Sequence, residues 1–199
     1  MKIGVIGGTF DPIHNGHLII AEYARTSLRF DKVIFMPSGI HPFKDNKGIS
    51  ESNLRIDMIL LAIESNKYFE VSSLDIDRVG TTYTIDTIIE LKDKYKDDEL
   101  YFIFGSDIIF EIDKWKDIEK LSTLCKFVLL SRPGKNEEEI NKRIESLKFS
   151  YNIHIEKVNS PMIEISSTEI RNRIKNKLSI KYLVPETLEK YILDHNLYS

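Results

Sequence analysis

Two histidines, His14 and His17, frame Gly16 within the segment GTFDPIHNGHL at residues 8–18. The segment follows the apolar run Ile3-Gly4-Val5-Ile6 and the glycine pair Gly7-Gly8, and a helical pattern begins just after it. A strand that ends in glycines and runs into a helix start presents outward-pointing backbone N–H groups, and the helix dipole there favours an anion. Imidazole donates to a phosphate oxygen in either charge state, more strongly when protonated. The pattern therefore points to chemistry on phosphate groups. As a metal pair the histidines would need a third and a fourth ligand, and the HExxH spacing of a helical zinc site is absent.

Other chemistry-bearing residues lie further along. Residues 166–171, Ser-Ser-Thr-Glu-Ile-Arg, combine hydroxyls at Ser166, Ser167 and Thr168 with a guanidinium at Arg171. Ser166 reads as a helix cap with Glu169 reaching back to it, a capping box. Trp115 is the only tryptophan and stands in the polar context Asp113-Lys114-Trp115-Lys116-Asp117, which favours a flat face offered to a ring and leaves packing against the core as the alternative. Thr82 and Tyr83 stand just ahead of a helix that starts at Thr84, where backbone N–H groups favour an anion.

These residues need a scaffold. Short apolar runs at 2–6, 32–36, 69–72, 100–104, 127–131 and 153–157 read as strands. Helical patterns lie between them at 16–28, 52–65, 84–95 and 137–147; in the second, Leu54, Met58, Leu61 and Ala62 share one face. Strand–helix alternation of this kind predicts βαβ units in an α/β, Rossmann-like doubly wound fold with a mostly parallel sheet. Such sheets bind ligands at the carboxyl ends of their strands. Residues 166–199 carry two helical patterns and no strand, the second opening at Pro185. The reading is a single domain over 1–199, with an α/β core at 1–165 and C-terminal helices at 166–199 packed on it. The polar stretch at 41–51, HPFKDNKGISE, is either a mobile lid or a passive surface loop.

Composition bounds the remainder. A net charge of −3 over 199 residues gives no bulk signal for a nucleic-acid or membrane partner. The single cysteine, Cys125, excludes an internal disulfide and a Cys-based zinc site, and its apolar neighbours mark it as a core residue. The opening MKIGVIGG is no signal peptide and no later run has membrane-spanning length, so a cytoplasmic protein is expected.

The motif Gly-Thr-Phe-Asp-Pro-x-His-x-Gly-His resembles that of the HxGH nucleotidylyltransferase superfamily, an element shared with class I aminoacyl-tRNA synthetases. The superfamily's Ile-Ser-Ser-Thr-x-Ile-Arg element stands at residues 165–171, which this reading sets at the opposite end of the fold. Between them, RVGTTYTIDT at 78–87, Gly105-x-Asp107 followed by Trp115, Arg132-Pro133-Gly134 and PSGIHPFK at 37–44 are similar to segments of bacterial nicotinate-nucleotide adenylyltransferases. Thr82 stands where that family often has serine.

The resemblance implies transfer of an adenylyl group from ATP to nicotinate mononucleotide, releasing pyrophosphate and giving nicotinate adenine dinucleotide for NAD biosynthesis. It implies His14, His17 and Arg171 as catalytic groups. It implies an ATP site made of Gly7, Gly8, Thr9, Phe10, His14, His17, Gly105, Asp107, Arg132, Ser166, Ser167, Thr168 and Arg171. The mononucleotide would meet Lys44, Thr82, Tyr83 and Trp115. Magnesium (Mg2+) is expected through the ATP phosphates, with no protein metal site. A homo-oligomer is compatible with the sequence. Open alternatives are a superfamily transferase acting on nicotinamide mononucleotide or phosphopantetheine, and a nucleotide-binding regulator without turnover.

Overall fold

In the computed structural model, residues 1–39, 48–131 and 137–199 are described. Six strands form one sheet: β1 (Lys2–Gly8), β2 (Lys32–Pro37), β3 (Phe69–Val71), β4 (Glu99–Gly105), β5 (Lys126–Ser131) and β6 (Ile155–Asn159). Every pairing is parallel, in the order β3-β2-β1-β4-β5-β6. The helices are α1 (Asn15–Leu28), α2 (Ser52–Ile63), α3 (Leu74–Asp77), α4 (Thr84–Lys94), α5 (Ile118–Leu124), α6 (Glu137–Tyr151), α7 (Ser167–Lys175) and α8 (Glu186–Asp194). A 3-10 turn covers Ile112–Lys114.

Parallel strands covered on both faces must be apolar throughout, and alternate residues of each strand enter different cores. Ile6, Phe35, Ile103 and Val128 pack with Ala21 and Ala24 of α1, Met58 and Ile59 of α2, Ile170 of α7 and Leu188 of α8. Ile3, Val5, Met36, Phe102 and Leu129 pack on the other face with Ile85 and Ile88 of α4, Leu121 of α5 and Leu147 of α6. Cys125 is buried in this second core, as its neighbours suggested. Among the described residues no helix is long and apolar enough to cross a membrane.

The chain leaves the sheet centre at β1 for β2 and β3, then returns across it to β4 beside β1. The two halves wind outward in opposite senses, so the crevice between the carboxyl ends of β1 and β4 is the switch point at which such sheets take ligands. Gly7, Gly8 and Gly105 stand at those ends.

The predicted strands all form, with one shift: the run at 153–157 begins its ladder two residues later, at Ile155. In α2 the buried stripe is Arg55, Met58, Ile59, Ala62 and Ile63 rather than one through Leu54 and Leu61.

Candidate active site

A cavity of about 600 Å3 opens at the switch point. One wall is Gly7, Gly8 and Thr9 with His17; a second is Asp75, Thr82, Tyr83 and Thr87; a third is Gly105, Asp107, Trp115 and Lys116. Each wall is set by a strand end or a helix start, which gives the site a rigid frame.

The first wall is built from β1 and α1. His14 is the N-cap residue of α1 and His17 lies in its first turn. The two rings stack with centroids 3.6 Å apart. The backbone N–H of His14 donates to Nδ1 of His17 at 3.3 Å. That bond makes Nδ1 the acceptor and leaves Nε2 as the protonated nitrogen of a neutral ring. Phe10 stands edge-on to His17 at 5.0 Å and is itself buried. Gly16 permits the stack, because a Cβ there would lie 3.0 Å from Nδ1 of His14.

Burial lowers the pKa of His14 to about 4, and burial together with the neighbouring imidazole lowers that of His17 to about 3. Both are neutral near pH 7 in the free protein. Of the two charge states in which imidazole can donate to phosphate, the buried site favours the neutral one, and the His17 ring is held in a single tautomer. A consequence for stability follows. In the unfolded chain each histidine takes up a proton near pH 6.5, while in the folded chain it does not until far lower pH. Stability is therefore fully present above pH 6.5 and is lost as pH falls toward 4 and 3. About 1 kcal/mol per histidine should disappear between pH 7 and 5.5. Denaturant melts at the two pH values check this; a His14→Gln variant should show a smaller difference than the wild type.

The second wall is formed by α3 and the start of α4. Asp75 is buried, and its carboxyl accepts from the Thr87 hydroxyl and from Arg78 Nη1 at 3.0 Å. Burial raises its pKa, against the opposing pull of Thr87 and Arg78. The Thr82 hydroxyl donates to the Asp75 carbonyl at 3.3 Å. Tyr83 is the N-cap residue of α4. On the third wall, Trp115 is half-buried and stands edge-on to Phe102 with centroids 5.4 Å apart. Lys116 Nζ lies 4.6 Å from the Tyr83 ring centroid and 3.3 Å from Asp86.

The structure thus gathers Gly7, Gly8, Thr9, His17, Thr82, Tyr83, Gly105, Asp107 and Trp115 around one cavity, with Phe10 and His14 packed directly behind His17. Ser166, Ser167, Thr168 and Arg171 are not on its walls. They are also not at the opposite end of the fold. Ser167 Oγ donates to the Pro12 carbonyl at 2.8 Å and Arg171 Nη1 to the Asp11 carbonyl at 2.6 Å, so α7 is tied to the loop leaving β1. Ser166 caps α7 by accepting from the Glu169 N–H at 3.1 Å. Glu169 does not complete the box but faces Arg173 at 3.7 Å. Lys44 and Arg132 lie outside the described residues. Asp75, Thr87 and Lys116 were missed; Lys116 was visible as a cation beside the lone tryptophan, and Asp75 as an acid just ahead of Arg78.

Residues 5–173 match the family described as cytidylyltransferase-like. A relative from Thermoanaerobacter sp. (strain X514), named probable nicotinate-nucleotide adenylyltransferase, is 44% identical over 100% of this chain and 94% of its own. One of the same name from Clostridium novyi (strain NT) is 43% identical over 99% and 98%. The chain belongs to the nicotinate-nucleotide adenylyltransferase family. Likeness at this level extends from β1 through the C-terminal helices, so the family's two outer motifs and everything between them are covered. The solved structure of Plasmodium falciparum nicotinic acid mononucleotide adenylyltransferase complexed with NaAD superposes with a TM-score of 0.77, at 23% identity over 99% of this chain and 97% of that one. That likeness carries the fold: a six-stranded parallel sheet between helical layers.

Proposed function

We propose that this protein transfers the adenylyl group of ATP to nicotinate mononucleotide, releasing pyrophosphate and forming nicotinate adenine dinucleotide in NAD biosynthesis. The observation that carries the reading is a single cavity at the switch point, with N–H and imidazole donors on one wall and an aromatic face beside a helix start on the others.

A phosphate oxygen of the mononucleotide attacks the α-phosphorus, and the bond from that phosphorus to the oxygen bridging to the β-phosphate breaks. The nucleophile is ionised near neutral pH, so no general base is needed. Catalysis then rests on in-line positioning and on donors aimed where charge develops. His17 Nε2–H donates to the α-phosphate from a fixed tautomer, with His14 supporting the ring from behind. Backbone N–H groups of Thr9 and Phe10 receive the triphosphate. Ser167, Thr168 and Arg171 hold the β- and γ-phosphates at the α7 N-terminus, next to the same loop. Gly105 and Asp107 border the adenosine.

Among the described residues no three His, Cys, Asp or Glu side chains come together as a metal cage. Magnesium is expected to enter with ATP, where a hard cation would find its ligands in phosphate oxygens and water. When bound, that ion neutralises charge on the pyrophosphate.

The pyridine ring stacks on Trp115, and its carboxylate meets the N–H groups of Thr82 and Tyr83. Lys116 adds a cation on the same side, and pairing with Arg78 offsets the negative charge of Asp75. An amide has no charge to gain there. Incubation with ATP, magnesium and either nicotinate or nicotinamide mononucleotide, followed by pyrophosphate measurement, should show turnover favouring the acid. No turnover with either removes the enzyme reading, and preference for the amide removes the carboxylate contacts. Trp115→Ala should raise KM for the mononucleotide about tenfold, within the range of base–aromatic stacking, and KM for ATP far less; equal rises would contradict stacking.

A further inference from the structure

Arg55 lies in the buried stripe of α2, with 3% of its surface exposed. Its Nη1 donates to the carbonyls of Thr9 and Ser38, each at 2.9 Å, and its Nε to that of Ser50 at 3.2 Å. Asp11, also 3% exposed, accepts from the Tyr198 hydroxyl at 2.6 Å and from the Ser50 N–H at 3.2 Å. A buried guanidinium and a buried carboxylate are costly groups, and here their hydrogen bonds tie the loop between β1 and α1 to Ser38, Ser50 and Tyr198.

The geometry of a trans peptide explains what those bonds accomplish. Its C=O and N–H point in opposite directions across one rigid plane. Arg55 on the Thr9 carbonyl therefore fixes the direction of the Phe10 N–H. The Ser38 N–H on the Gly8 carbonyl, at 2.9 Å, does the same for the Thr9 N–H. Phe10, directly after these two planes in the chain, sits at φ 50°, a left-handed conformation that a bulky residue keeps only where its surroundings impose it.

We propose that Arg55 and Tyr198, acting through the Thr9 carbonyl and the Asp11 carboxylate, are positioning residues that aim the loop's N–H groups at the triphosphate. Tyr198, near the C-terminus, then serves the nucleotide site although it does not line the cavity. This inference rests on the adenylyl-transfer reading for its kinetic readout.

Arg55→Lys keeps the charge but cannot fork to three carbonyls. Tyr198→Phe keeps the ring and removes one hydroxyl. Kinetics with each substrate varied in turn, and calorimetric titration with magnesium-ATP, test both variants. KM for ATP should rise about tenfold in Arg55→Lys and about fivefold in Tyr198→Phe, the size of one ordinary net hydrogen bond. KM for nicotinate mononucleotide should change less than about twofold. If Arg55→Lys does not fold, Tyr198→Phe still decides. An unchanged KM for ATP in Tyr198→Phe, or equal rises in both KM values, overturns the proposal. A wild type that binds ATP without turnover removes the adenylyl-transfer reading instead, and weaker ATP binding by Tyr198→Phe would then still support positioning. A wild type that does not bind ATP overturns both.

Discussion

His17→Ala should lower kcat for adenylyl transfer by about 10²- to 10³-fold, the usual cost of losing one preorganised donor to a developing charge. The structure supports a loss of that size because the donor is prepared in advance. Nδ1 is committed to the His14 N–H, Phe10 abuts the ring edge-on, and His14 stacks behind it. Nothing need reorganise when the α-phosphate gains charge. The same observations set the pH dependence. Burial holds the His17 pKa at about 3 and the His14 pKa at about 4, so a working neutral imidazole is present throughout the range above about pH 5. The ratio of wild-type to His17→Ala kcat/KM should therefore stay flat from about pH 5.5 to 8, since kcat/KM reports groups of the free enzyme. A ratio that climbs as pH falls through 6.5 would identify an imidazolium as the active form. A kcat reduced less than about tenfold, roughly 1.4 kcal/mol, would remove the α-phosphate contact altogether.

The charge state of these histidines marks a boundary of what the sequence discloses. Their identity and spacing pointed to phosphate, but their neutrality depends on burial and on the stacking of one ring upon the other. The strands were legible because parallel strands buried on both faces read as unbroken apolar runs. The helix α3, with four residues, and α5, with seven, are too short to show a period. Asp75 was lost with α3. Arg55 left a trace that periodicity alone misreads. A stripe drawn through Leu54, Met58, Leu61 and Ala62 is apolar, whereas the true one, turned by part of a helical step, includes a charge. A cation in an otherwise apolar stripe calls for buried acceptors, and the carbonyls of Thr9, Ser38 and Ser50 supply them. The meeting of Ser167 and Arg171 with the 11–12 carbonyls is a property of the doubly wound topology, which carries the last helices back across the first strand.

Gly39→Ala should damage the pyridine end of the cavity while sparing the phosphate end. A Cβ at residue 39 would lie 2.2 Å from the Asp75 carbonyl oxygen and 2.8 Å from Thr82 Oγ1. Neither distance is tolerable, and the nearer atom is backbone, so no rotamer change relieves it. The α3 segment must give way, because Ser38 beside Gly39 is held at its N–H by the Gly8 carbonyl and at its carbonyl by Arg55. The Thr82–Asp75 hydrogen bond and the wall that presents Thr82 and Tyr83 then loosen. Overpacking of this kind costs about 1–3 kcal/mol of stability, visible as a lower melting temperature. KM for nicotinate mononucleotide should rise at least about tenfold, equivalent to roughly 1.4 kcal/mol of lost binding. KM for ATP should change much less, because Gly8, Thr9 and His17 are held by β1, α1 and Arg55 rather than by α3. Adding Thr82→Ala removes the hydroxyl contact but not the carbonyl clash, so the double variant should not recover. Recovery there would locate the conflict in the side chain, and equal changes in both KM values would show that the two ends of the cavity do not move independently.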